Sequence, residues 1–591
     1  MDRIGSHLLL ALILVVTALA FLPSLQGGFT DWDDDQYVND NPLVRSWSGP
    51  ALVRMFTLPY AQVYAPLTFV SYAMEYRIYG LKPFGYHATN LALHLINAVL
   101  AFFVFLLISR NRWIAGLTAL FFAVHPLRVE SVAWIAERKD VLYAVFYLAA
   151  IALYARQRDR PGTGSYAVIL VLFILSLLAK PMAVTLPAAL LVTDLGLGRR
   201  IDLRRVMALV PFFLLSALCL AMNFYAQRAA PVGPAEYLRH AAVGSYSMLF
   251  YLIKTILPIN LSAFYPYPTG YPGRLPWLML AAPAALGLLV VLVIRFRRLR
   301  PLAFGGLWYL VVLFPVSQFI PLPGPAMTAD RFSYLAVLGP MYAAACGIIA
   351  LFRRGALRRL RAPLGIVCGA VIVTLAAATA QRCRVWHDGI TLWSDVLDKY
   401  PQVAMAYDNR GILYAQTGRT EKALADFNRA LAADPRLVKA YYNRGLLRYQ
   451  TRDNEGALDD LDRAIAMNPR NPRFFNTRGI IHAVLGDNPH ARADFDAAIS
   501  LDPRFIEAYN NRGNTRRGSG DLPGALEDFN RALAIDPLFA DTYFNRAIVF
   551  FLQGNFDAGY ADLKTYERLG GIVSPEFYRN LDQQLRKRSP N

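Results

Sequence analysis

Long apolar stretches recur through about the first 380 residues of this 591-residue chain, and they restrict its fold more than any other feature. They run over Ile4 to Leu22, Leu91 to Ile108, Trp113 to Val124, Val141 to Tyr154, Tyr166 to Ala179 and Ala183 to Leu195. Six more follow, at Val206 to Tyr225, Tyr246 to Leu261, Trp277 to Ile294, Leu302 to Ile320, Tyr334 to Phe352 and Leu364 to Ala380. A chain that is 55% hydrophobic and 17% charged is too apolar for an ordinary soluble protein, in which roughly a quarter of residues are charged. Backbone in hydrocarbon must satisfy its own hydrogen bonds, so these segments read as helices in a bilayer. Several fall short of the roughly 20 residues a straight span needs, and they must extend into polar flanks or lie behind neighbours.

The net charge of +19 is a topological signal. Basic residues gather in Arg110 to Arg112, Arg156 to Arg160, Arg199 to Arg205, Arg295 to Arg300 and Arg353 to Arg361, five turns expected to face the cytoplasm. That grouping gives about eleven crossings, an inside N-terminus and an outside C-terminus, with Tyr246 to Leu261, which carries Lys254 and Pro258, re-entrant or lying on the surface. Ala18-Leu19-Ala20 looks like a signal-peptidase site, but Phe21 and Leu22 continue the apolar run, so an uncleaved anchor is expected. From Pro401 onward acidic and basic residues nearly balance, which argues against nucleic acid. Cys219, Cys346, Cys368 and Cys383 form no CxxC pair or zinc-ligand spacing and read as packing residues.

Prolines at 401, 435, 469, 503 and 537 recur every 34 residues, the period of the tetratricopeptide (TPR) repeat. Small residues keep register at Gly411, Gly445, Gly479, Gly513 and Ala547, and again at Ala430, Ala464, Ala498 and Ala532. The expected organisation is all-α: a multi-spanning unit over 1–381, a linker helix over 382–400, four full and one degenerate TPR over 401–575, and a polar cap or tail over 576–591.

Polar residues able to do chemistry lie almost entirely in the loops opposite the arginine-rich ones. The first holds Asp31-Trp32-Asp33-Asp34-Asp35 and then Asn41-Pro42; the second runs from His125-Pro126 through Glu130 to Arg138-Lys139-Asp140. Later loops contribute Lys180-Pro181, Phe264 to Pro268, and Ala329-Asp330-Arg331-Phe332-Ser333-Tyr334. Carboxylates at the mouth of a span can act as general bases or hold a divalent cation, and nearby Arg or Lys can neutralise a phosphate. A phosphate-linked lipid substrate suits that combination. A solvated acidic loop explains Asp33 to Asp35 equally well, and a turn with flanking anchors would explain His125 to Asp140. A calcium loop is disfavoured, because Gln36 and Pro42 stand where a glycine and a bidentate glutamate are needed. Asn90, His94 and Asn97 share one helical face, where they serve interhelical hydrogen bonds or a site.

In the repeats, Asn409, Asn443, Asn511 and Asn545 occupy one register position, with Thr477 interrupting, beside a column of Arg410, Arg444, Arg478, Arg512 and Arg546. A ladder of amides on a concave face can bind the backbone of an extended peptide without reading its side chains. The alternative is that these groups cap helices or bridge repeats.

The run Trp32-Asp33-Asp34-Asp35-Gln36-Tyr37-Val38 with Asn41-Pro42, His125-Pro126 to Glu130, Arg138-Lys139-Asp140-Val141-Leu142 and Asp330-Arg331-Phe332-Ser333-Tyr334-Leu335 resembles the transmembrane-and-TPR O-mannosyltransferases of animals and their bacterial relatives. The likeness covers nearly the whole chain. It implies a C-type glycosyltransferase (GT-C) fold and transfer of a sugar from a polyprenyl-phosphate carrier to a protein Ser/Thr, or a glycan, on the non-cytoplasmic side. It also implies an acidic catalytic base in the first external loop. Position by position, the acidic pair falls on Asp33 and Asp34, while Asp35 stands where the animal sequences tend to have a basic residue. Arg138 and Arg331, with Lys139, are the expected contacts of the carrier phosphate; Asp35, His125, Glu130, Asp140 and Asp330 are further loop candidates. Magnesium or manganese is a conceivable helper, since enzymes of this class differ in metal use. A bacterial inner membrane with periplasmic repeats is the expected setting, or else the endoplasmic reticulum with lumenal repeats. The competing class is a membrane-anchored TPR scaffold for envelope assembly, which leaves the many-spanning anchor unexplained.

Overall fold

The computed structural model describes residues 3–61, 63–157, 162–227, 234–271, 273–296, 299–320, 324–354 and 359–579. The polar tail expected at the C-terminus lies outside them from residue 580. The chain divides into two compact units, Met1–Pro401 and Gln402–Asn591.

The first unit is a bundle of apolar helices. Among the described residues five are long and apolar enough to cross a membrane: Ile4–Gln26, Pro83–Ser109, Leu203–Phe224, Trp277–Arg295 and Arg361–Val385. Shorter apolar helices cover Arg112–Ala123, Thr163–Ala179, Pro181–Gly196, Arg300–Val316 and Leu338–Arg353. Large side chains such as Leu8, Leu214, Leu288 and Val373 point outward along several of them, the inverse of a soluble core and the surface a lipid solvent requires. The Pro234–Ile256 helix carries Glu236, Arg239, His240 and Lys254 and is not among the apolar segments. Pro83–Ser109 begins well before the apolar run seen in the sequence, because its first turns carry His87, Asn90 and His94 on a face turned inward. The only strands among the described residues are Tyr265–Pro266 and Ala326–Thr328, a small antiparallel pair.

Among its described residues the second unit holds five helix pairs. They are Ala404–Gln416 with Thr420–Ala433, Val438–Gln450 with Asn454–Met467, Pro472–Val484 with Asn488–Leu501, Ile506–Gly518 with Leu522–Ile535, and Ala540–Leu552 with Phe556–Arg568. The in-register small residues have a steric cause. A Cβ on Gly411 or Gly513 would come within 2.7 or 2.6 Å of the Phe427 or Phe529 ring on the paired helix. Each arginine of the column reaches across its own repeat to an aspartate 16 residues later: Arg410 to Asp426, Arg444 to Asp460, Arg478 to Asp494, Arg512 to Asp528 and Arg546 to Asp562. Those aspartates are buried, so the column ties the two helices of each repeat together.

Candidate functional site

The segment from Phe122 to Arg138, which from His125 on reads as a loop in the sequence, is buried at every residue. It folds as a 3-10 turn Pro126–Arg128, a short helix Val129–Ala133 and a second 3-10 turn Ile135–Glu137, and then enters the helix Arg138–Arg156. Such irregular backbone inside a bundle leaves carbonyls without helical partners, and each one left unpaired is costly. The polar face of Pro83–Ser109 satisfies several. Asn90 donates to the carbonyls of Val132 and Trp134, both at 3.2 Å, and Asn97 donates to that of Val141 at 2.8 Å. His94 contacts the Ala123 carbonyl at 2.9 Å and the Tyr334 hydroxyl at 2.7 Å, and Tyr72 donates to the Ile135 carbonyl at 2.7 Å. Asn90 and His94 thus hold the buried segment in place, and Asn97 ties their helix to Arg138–Arg156.

Within the acidic triplet the three carboxylates have different surroundings. Asp34 is fully buried; one oxygen accepts the backbone N–H and the hydroxyl of Thr30, both at 2.9 Å, and the other accepts the N–H of Ala136 at 2.7 Å. Burial pushes its pKa up to about 7 against the pull of those donors. Asp34 therefore pins the first loop to the buried segment. Asp35 accepts from the Asn39 amide at 2.8 Å within its own turn. Asp33 is partly exposed and makes no hydrogen bond to another described residue. Burial raises its pKa, Lys139 and Arg331 pull it back and Glu137 adds to the rise, so its carboxylate faces a cationic neighbourhood.

That neighbourhood centres on Glu137, which is 1% exposed and meets three cations. Lys139 lies at 3.1 Å, Arg331 at 3.2 Å and Lys180 at 3.4 Å. Although burial disfavours its charge, Lys139, Lys180 and Arg331 prevail and hold its carboxyl well below the ordinary range. Arg331 also pairs with Glu130 and lies over the Trp134 ring at 5.4 Å; Lys180 reaches Asp140 at 2.5 Å. Lys139 and Arg331 keep 14% and 18% of their side chains exposed, so a further anion can reach them. Beside Lys180 opens a cavity of about 260 Å³ walled by Met182, Val184, Leu220, Phe224, Val316 and Phe332, apolar except at the lysine end and Asn223.

The other expected residues take structural places. Arg138 is wholly buried, paired with Glu75, donating to Asn90 Oδ1 and the Tyr86 carbonyl, each at 2.8 Å, and stacked over Tyr72 at 4.8 Å. With all of these partners it has little left for a substrate phosphate. His125 caps the following turn through Nδ1, faces the Thr255 carbonyl at 3.1 Å, and is kept neutral by burial, which lowers its pKa to about 3. Asp330 accepts from the Tyr265 hydroxyl at 2.8 Å. Lys180 was noted in its loop without a role, and Glu137 was not singled out by the sequence; the flanking of Glu137 by Arg138 and Lys139 was the available signal. Nor were the stacked rings Trp32 on Trp134, 4.7 Å apart, and Trp134 on Trp386, 5.4 Å apart.

The donor set near the triplet is poor for magnesium or manganese. Asp34 is committed on both oxygens and Asp33 sits among cations, and the one described group of three His, Cys, Asp or Glu with ligand atoms in mutual reach lies in the repeats.

In the repeats, the asparagine amides bridge successive units. Asn443 donates to Asp408, Asn511 to Asn476 and Asn545 to Asn510, each at 3.0 Å, and Asn409 opens the row. Asn511 and Asn514 line a groove of about 300 Å³, in which Asn514 Oδ1 is buried without a partner.

A TPR repeat family model matches residues 411–452 and 513–554, and a second tetratricopeptide repeat model matches 442–504. The solved TPR protein YrrB, with an unusual peptide-binding site, is 22% identical and covers 30% of this chain and 91% of its own, with a TM-score of 0.26. The Caenorhabditis elegans protein O-mannosyl-transferase F38B6.6 is 24% identical over 455 residues, 72% of this chain and 63% of that protein. Human protein O-mannosyl-transferase TMTC1 is 33% identical over 206 residues, 31% of this chain and 23% of that one. Drosophila melanogaster Tmtc3 is 24% identical over 457 residues, 62% and 48% of the two chains. The chain spans less than two thirds of the length of these curated relatives. By these comparisons it is similar to the protein O-mannosyl-transferases of animals, and its C-terminal unit is a tetratricopeptide array.

Proposed function

We propose that the chain is a membrane glycosyltransferase of GT-C type that moves a sugar from a polyprenyl-phosphate carrier to a Ser or Thr hydroxyl on the non-cytoplasmic side. The observation that carries this reading is the unengaged carboxylate of Asp33 beside the cations Lys139 and Arg331, which share Glu137 with Lys180. Asp33 takes the proton of the acceptor hydroxyl as its oxygen attacks the anomeric carbon with inversion. The bond from that carbon to the phosphate oxygen breaks, and the charge on the departing lipid phosphate is met by Lys139, Arg331 and Lys180. The apolar cavity beside Lys180 suits the first isoprene units of the carrier. The peptide acceptor lies along the asparagine row of the repeats, whose amide oxygens can still accept. Similarity to protein O-mannosyl-transferases favours mannose as the sugar and protein as the acceptor. The arginine-rich turns favour a bacterial inner membrane with periplasmic repeats.

The test is purified full-length protein in detergent, incubated with a Ser/Thr peptide and radiolabelled mannose on either polyprenyl phosphate or a nucleotide. Label enters the peptide from the lipid donor alone. Transfer from the nucleotide sugar and not from the lipid would refute the reading. Because burial raises the Asp33 pKa, the base is lost as pH falls through a value above the ordinary carboxylate range, and the acid limb of the kcat/KM profile lies there.

A further inference from the structure

His482, Asp487 and His490 meet on the turn between the helices Pro472–Val484 and Asn488–Leu501 of the third repeat. The two adjacent repeats hold a different set in this register. Thirty-four residues before stand Arg448, Asp453 and Gly456, and 34 after stand Arg516, Asp521 and Gly524. In both, the aspartate caps the second helix by accepting the glycine N–H at 3.0 Å, and the arginine approaches the same carboxylate at 3.5 and 3.8 Å. Glycine fits because a Cβ there would come within 2.4 or 2.3 Å of the capping carboxylate. The third repeat departs at both flanking positions, and the cap bond from the His490 N–H to Asp487 lengthens to 3.3 Å. The longer cap follows from a Cβ where the adjacent repeats keep hydrogen, since Ala558 makes the same 3.3 Å bond in the fifth repeat.

The departure brings two imidazoles onto one carboxylate. His490 Nδ1 lies 2.7 Å and His482 Nδ1 3.4 Å from Asp487 Oδ2, the rings stack 5.3 Å apart, and one ligand atom from each residue lies within 4.8 Å of the others. In a tetrahedral site with bonds of about 2.0–2.1 Å, ligand atoms stand about 3.4 Å apart. The His482–Asp487 edge already has that length. His490, 72% exposed, is free to swing outward and complete the third corner.

We propose that His482, Asp487 and His490 form a site for a borderline divalent transition metal, zinc foremost, with a fourth position open to water or an outside ligand. Two imidazoles and a single carboxylate select against magnesium and calcium, which require more oxygen ligands. The bound ion fastens the turn of the third repeat. The inference is independent of the glycosyl-transfer reading.

The test is full-length protein without a histidine tag, stripped of metal and titrated with cobalt(II) while visible absorption is followed. One equivalent binds in a tetrahedral spectrum. His482→Ala and His490→Ala each lower the apparent affinity on the order of tenfold or more. His482→Arg/His490→Gly restores the register of the adjacent repeats, so it keeps the helical fold and loses the spectrum. Equal binding by that variant and the wild type, or no stoichiometric binding by the wild type, overturns the proposal and leaves the histidines as ion-pair partners of Asp487.

Discussion

Asp33→Asn lowers glycosyl transfer by about 10²–10⁴-fold, the range supplied by a positioned general base, while the protein stays folded. The reason for an intact fold is that the Asp33 side chain makes no hydrogen bond to another described residue. Asp34→Asn behaves differently. An amide can present an acceptor to only one side, so at least one of the Thr30 and Ala136 donors loses its partner inside the unit, at about 1–3 kcal/mol for each group left unpaired. Its loss of activity therefore follows its loss of melting temperature. Thermal unfolding and transfer rates measured on the same preparations separate the two. Full activity in Asp33→Asn, with the fold intact, would remove Asp33 from the catalytic role.

Arg138→Met destabilises the membrane unit by about 3–5 kcal/mol, because it leaves the Glu75 carboxylate, 7% exposed, without its counter-ion. It also withdraws a donor from Asn90, whose amide holds the buried segment at Val132 and Trp134. The double variant Glu75→Gln/Arg138→Met recovers part of the loss, since no uncompensated charge remains. The check is the fraction of monodisperse protein in detergent and its unfolding temperature across the cycle. A stable Arg138→Met protein that has lost only donor affinity would instead return Arg138 to the phosphate site.

These two residues also mark how far the sequence could be read. The repeats were legible because each unit restates the same constraint at a fixed distance, as Gly411 and Gly513 do against Phe427 and Phe529. The membrane helices were legible from composition, but Pro83–Ser109 starts earlier than its apolar run because hydropathy falls where a polar face turns inward. The burial of Phe122 to Arg138 had no local signal, since it depends on His94 and on Asn90, the latter more than 40 residues from the carbonyls it holds. Arg138 and Arg331 look alike as basic residues in polar stretches. What separates them is Glu75, 63 residues upstream of Arg138, and the meeting of Lys139, Lys180 and Arg331 at Glu137. For the asparagine row the sequence left peptide binding and repeat bridging both open, and Asn443, Asn511 and Asn545 do bridge, to partners 35 residues upstream.

The account rests on the bilayer lying between the arginine-rich turns and the Asp33 loop. Replacing Cys219, Cys346, Cys368 and Cys383 gives a cysteine-free background, into which Gln36→Cys and Arg200→Cys, both at exposed positions, are introduced one at a time. In sealed vesicles of a single orientation, a membrane-impermeant thiol reagent labels one of the two from outside and the other only after permeabilisation. Labelling of both from the same face would contradict the account.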